Sequence, residues 1–165
     1  MRRPVSSERA FALFGLLLGT LPPAAIFFRM LYVSVGLLGA GSFLFVTMLG
    51  ICALVGWRMG ARVGRTVDES ERRTWAGATI DALEAGFVWA AATGAAGGFL
   101  FFGVGALFGV ACALAVALPA FAVFTSLHRL LARGGMIDAR HLRPLAWGVS
   151  TIAAALILSP YLLPY

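Results

Sequence analysis

Hydrophobic residues in this chain come in long unbroken runs, separated by short segments that carry arginine. The runs cover Ala10 to Phe28, Met30 to Trp57, Ala85 to Leu127, and Leu145 to Leu163. A membrane-crossing helix needs about 20 apolar residues at about 1.5 Å of rise each. The third run is too long for one crossing, since no charge appears between Glu84 and Arg129. Gly97-Gly98 and Gly103-Val104-Gly105 are natural turning points, so this run predicts a tight helical hairpin. The pattern predicts an all-α integral membrane bundle of about five transmembrane helices, roughly 10–30, 36–57, 80–100, 104–127 and 145–163, in one domain. The number falls to four if the C-terminal segment does not span.

Two stretches complicate the opening. Pro22-Pro23 removes two backbone donors, so the prolines either kink the first span or begin a new helical segment. The basic head, short apolar run and small-residue tail of the first 25 residues also have the pattern of a secretory signal peptide. We read this segment as a retained first span. The stretch "VGLLGAGS" is a candidate outer connection before the second span.

Arginine placement orients the bundle. Arg2, Arg3 and Arg9 precede the first span; Arg58, Arg62, Arg65, Arg72 and Arg73 follow the second; Arg129, Arg133, Arg140 and Arg143 lie between the fourth and fifth. Each cluster is an even number of crossings from the next, which puts all of them and the N-terminus inside and the C-terminus outside. Arg29 falls on the far side beside Phe27, Phe28 and Tyr32, as a snorkelling cation in an aromatic belt. Trp57, Trp75 and Trp147 flank the inner interface.

Composition agrees with the pattern. The chain is 61% hydrophobic and 12% charged, whereas a soluble domain is about half apolar and about a quarter charged. Lys, Asn and Gln are absent, as a GC-rich genome produces, and the inner membrane of a bacterium is the expected location. The net charge of +6 does not imply nucleic acid, because the arginines sit between apolar spans and face anionic headgroups. Cys52 and Cys112 both fall inside apolar runs and read as small packing residues.

In lipid, helices associate through close backbone approach rather than apolar burial. Ala78, Ala82, Gly86, Ala90, Gly94 and Gly98 recur every fourth residue in the third span, and Gly105, Gly109, Ala113 and Ala117 do so in the fourth. These stripes predict a tightly packed antiparallel pair. Gly56, Gly60 and Gly64 fall on one face of a helix that continues the second span. Arg58, Arg62, Arg65, Arg72 and Arg73 fall on the other face, where an anionic lipid or an acidic partner would meet them.

Candidate chemistry is sparse. Asp81 and Glu84 share a helix face at the start of the third span, either as an interfacial pair reaching Arg72 or Arg73 or as an ion path. His128, Asp138 and His141 share the inner arginine segment and read as surface residues rather than a metal set. P-loop, dinucleotide and zinc-hydrolase patterns are absent, and no cofactor or metal is assigned. Ser42 and Ser150 lack an intramembrane histidine for nucleophilic work. The expected function is a non-catalytic, multi-span membrane subunit, an accessory or scaffolding component of a larger complex with other membrane chains. The alternatives are a small oligomeric channel or transporter using Asp81 and Glu84, and an enzyme acting on lipid phosphate.

Overall fold

The computed structural model describes residues 4–33, 40–69, 74–99, 103–132 and 136–159. The elements in chain order are β1 (Pro4–Ser6), α1 (Ser7–Leu18), α2 (Leu21–Val33), α3 (Ala40–Glu69), α4 (Trp75–Gly98), α5 (Val104–Leu131), β2 (Met136–Asp138) and α6 (Ala139–Leu158). Among the described residues, four helical segments are long and apolar enough to cross a membrane: Ser7–Arg29, Ser42–Val67, Val104–Leu131 and Ala139–Leu158. The 24-residue α4 has the length, but Asp81 and Glu84 fall within it and lower its mean hydropathy.

The first span is two helices. Helix α1 stops at Leu18, and Pro22 and Pro23 occupy the first turn of α2, where a missing N–H costs no helical hydrogen bond. The Thr20 hydroxyl donates to the carbonyls of Leu16 and Leu17 at 3.0 and 3.1 Å, satisfying acceptors at the end of α1. Of the two outcomes open in the sequence, the prolines begin a new segment.

Helix α1 occupies the middle of the bundle. Half of the apolar window in Ser7–Arg29 is buried, 50% against 17%, 22% and 17% in the other three. Ala10, Phe11, Ala12, Phe14, Gly15, Leu17 and Leu18 are buried on all sides of it. A helix apolar all round belongs in a core. Phe14 stacks on Phe124 at 4.0 Å between ring centroids and meets Phe121 edge-on at 5.1 Å, which joins α1 to α5. Trp89 of α4 closes this aromatic cluster at 5.8 Å from Phe121.

Against α3, α1 packs backbone to backbone. Gly15 lies on Gly56, Gly60 on Phe11 and Ala12, and Gly64 on Ser7 and Glu8. A Cβ at Gly64 would come within 2.6 Å of the Glu8 Cα, so the small face of α3 is used by α1. The two stripes of α4 and α5 meet likewise: Gly94 lies on Gly109 and Gly98 on Gly105.

Among the described residues, the fold departs from all-α in one place. Pro4–Ser6 pairs antiparallel with Met136–Asp138, with Val5 opposite Ile137. Strands this short show no alternation to read, and the pairing joins distant parts of the chain. Ile137 is fully buried against the core. The ribbon ties the N-terminal arm to the segment that enters α6.

Candidate functional site

Most of the charged candidates gather at one end of the bundle. That end holds the ribbon, the start of α1, the last turns of α3 and α5, and the first turns of α4 and α6. Arg129, in the last turn of α5, places its guanidinium 4.9 Å over the Trp75 ring and donates to the Thr74 carbonyl at 3.4 Å. The cation also lies where the carbonyl end of α5 favours positive charge. The opposite end holds Arg29, whose guanidinium donates to the carbonyls of Ile157 and Ser159 at 3.0 and 3.4 Å. The sequence read Arg29 as a belt residue; the structure makes it a clamp on the C-terminus of α6.

Arg58, Arg62 and Arg65 are exposed on the face of α3 turned away from its glycines. Arg65 Nε lies 3.7 Å from Glu8 Oε1, with both side chains about half exposed (61% and 49%). Such a pair contributes about 0–1 kcal/mol. Arg58 and Arg62 make no ion pair among the described residues. Arg62 Nη1 donates to the Met59 sulfur at 3.8 Å, a weak acceptor. Arg72 and Arg73 lie outside the described residues.

Asp81 is half-buried and Glu84 is exposed on α4. Their height follows from the register of α3 against α4. The Trp89 indole N–H donates to the Gly56 carbonyl at 3.1 Å, and the Cys52 thiol donates to the Thr93 carbonyl at 3.8 Å. Carried on by one to two turns, this antiparallel register brings Glu84 level with Ala61, beside Arg62, and Asp81 level with Gly64, beside Arg65. Glu84 shares its stripe of α4 with Ile80, Leu83, Phe87 and Val88, all exposed. Gly86, Gly94 and Gly98 occupy the other side, where a Cβ at Gly86 would stand 3.2 Å from the Phe121 Cβ and 3.3 Å from the Ala117 carbonyl oxygen.

The histidines part company. His128 is not a surface loop residue: it lies in the last turn of α5, 2% exposed, its ring 5.2 Å from Phe11 and 6.1 Å from Phe124. A loop was expected because apolar sequence stops at Leu127, yet α5 continues and turns this ring toward α1. His141 is exposed in the first turn of α6. Asp138 caps α6, its carboxylate accepting from the Arg140 N–H at 3.0 Å. Among the described residues, no three of His, Cys, Asp and Glu gather as a metal site.

Sequence reasoning missed Trp89, which sits mid-bundle at 3% exposure with its N–H bonded across to α3. A tryptophan among alanines and glycines was the available signal. No family model, curated protein or solved structure matches this chain.

Proposed function

We propose that the chain is a non-catalytic, multi-span subunit of a larger membrane complex, in the inner membrane of a bacterium. It crosses five times, with α4 as the third crossing and the arginine-rich end inside. The gathering of β1, the α3 and α5 C-termini and the α6 N-terminus at one end supports that orientation, because their arginines then share one side.

One observation carries the reading of a subunit: the outward stripe of α4. Ile80, Leu83, Phe87 and Val88 are exposed apolar residues, and Glu84 stands among them. The register with α3 sets Glu84 near the height of Arg62, at the headgroup edge of the crossing, where an outward carboxylate is open to a cation or donor from outside the bundle. The interior side of α4 is filled by Trp89, Phe121 and the glycine contacts, so Glu84 looks out of the bundle rather than into it. A carboxylate at the edge of an exposed apolar stripe favours a partner helix that packs on the stripe and brings a donor or cation to its end.

A photo-crosslinking residue placed at Leu83, and another at Leu107 on the exposed face of α5, tests the proposal in native membranes. Crosslinks from position 83 to a distinct membrane polypeptide, reduced by Glu84→Ala, support it. Crosslinks to lipid alone at both positions overturn it. Crosslinks to a second copy of this chain, together with cation flux in proteoliposomes that Asp81→Ala with Glu84→Ala removes, favour an oligomeric channel.

A further inference from the structure

We propose that Arg58 and Arg62 bind the headgroup phosphate of an anionic phospholipid whose acyl chain lies along α3. The site follows one row of side chains on that helix. Val46, Gly50, Leu54, Arg58 and Arg62 follow one another at four-residue steps, and all are exposed. Four residues advance about 6 Å along a helix and turn by about 40°, so the row is a ridge that winds round α3 as it rises, with each member next to the one before it. The stripe is apolar over its first part and basic over its second, which is the polarity of a lipid read from tail to headgroup.

The shape of the stripe suits a chain as well as its polarity. Val46 is 65% exposed and Leu54 49%, and at Gly50 nothing lies within 4 Å of where a Cβ would stand. That glycine leaves a shallow notch between two apolar side chains. Trp57, also 49% exposed, stands beside the change from apolar to basic, at the level an amphipathic ring prefers.

Charge selects the headgroup. Arg65 is already engaged with Glu8, whereas Arg58 and Arg62 are not ion-paired among the described residues. Two guanidinium forks one helical turn apart can each give parallel N–H bonds to phosphate oxygens, with a geometry ammonium groups do not reproduce. The nearby carboxylate at this height is Glu84, which the α4 stripe turns toward its own exposed face. Phosphatidylglycerol, with a net negative charge, is favoured over phosphatidylcholine, whose choline offsets the phosphate.

The test compares wild type with Arg58→Gln plus Arg62→Gln, Arg58→Lys plus Arg62→Lys, and Arg65→Gln. Each is reconstituted in nanodiscs of phosphatidylcholine alone or mixed with phosphatidylglycerol, then stripped in detergent. Retained lipid is counted by mass spectrometry. Wild type keeps phosphatidylglycerol; the double Gln variant loses it by roughly tenfold or more, as loss of two surface arginines implies. The double Lys variant falls between them, and Arg65→Gln stays near wild type. Equal retention by the double Gln variant, or an equal loss from Arg65→Gln, overturns the site. Excess inorganic phosphate should not displace the lipid; displacement would overturn the assignment to a lipid. If the double Gln variant melts lower in phosphatidylcholine alone, the single Gln variants decide, and each must lower retention for the site to stand.

Discussion

Alanine substitution at two glycines of the same helix separates a packing role from a composition effect. In a helix interior, Gly→Ala stabilises by about 0.5–1 kcal/mol through backbone entropy alone. At Gly50 nothing lies within 4 Å of the new methyl, so Gly50→Ala should gain that amount. At Gly60 the methyl would run into the Phe11 carbonyl oxygen, 3.0 Å from its carbon and 3.3 Å from the Ala12 Cα. These are backbone atoms of the central helix, which cannot rotate aside as a side chain can. Forcing α1 and α3 apart is overpacking, which costs about 1–3 kcal/mol. The separation also loosens the Phe11 and Phe14 contacts with α5. Both substitutions share the entropic gain, so Gly60→Ala should lie below Gly50→Ala by the overpacking cost, about 1–3 kcal/mol. Thermal melting in one mild detergent, followed by loss of the folded monodisperse peak, ranks the pair. Should Gly60→Ala melt at or above Gly50→Ala, the backbone contact between α1 and α3 is wrong.

Three further outcomes follow from contacts elsewhere. Gly94→Leu or Gly109→Leu should wedge α4 from α5, because a Cβ at Gly94 already falls 2.5 Å from the Gly109 carbonyl oxygen; a lowered melting temperature in both variants is expected, and wild-type stability in both would refute the contact. Trp89→Phe leaves the Gly56 carbonyl without its 3.1 Å donor and should cost about 1–3 kcal/mol, read as a lowered melting temperature that Trp89→Tyr does not restore. Arg29→Ala removes two guanidinium bonds to the end of α6 and should cost about 1–3 kcal/mol; Arg29→Lys should recover part of it, and hydrogen exchange at residues 155–159 locates the effect.

What could be read from the sequence was what depends on local pattern. Apolar runs gave the helical segments, since the length of a crossing is fixed by bilayer thickness rather than by neighbours. The 100° step placed Gly56, Gly60 and Gly64 opposite Arg58, Arg62 and Arg65, because both sets lie on one continuous helix. The identity of the helix across that glycine face was not readable, as any small-residue face is compatible with any other. So the central place of α1 emerged only in three dimensions. The Pro4–Ser6 ribbon was hidden for the same reason, its partner strand lying at Met136–Asp138. His128 and Arg29 show the limit most sharply. Both were assigned to a surface by their sequence neighbours, yet one ring turns onto Phe11 and one guanidinium reaches the end of α6. For the candidate site, the residues at the arginine end were legible as a set. Their division into Arg65 facing Glu8 and Arg58 with Arg62 facing outward was not, because it depends on where α1 begins beside α3.

The reading as a subunit of a membrane complex meets its most direct test in native mass spectrometry. The tagged chain is taken from membranes of a cell that naturally makes it, in a mild detergent, and the mass of the intact particle is measured. A particle containing this chain and a different membrane polypeptide in fixed ratio is predicted, with Glu84→Ala releasing the chain from it while leaving its own melting temperature unchanged. A particle made of this chain alone, with the same mass in wild type and Glu84→Ala, would contradict the account.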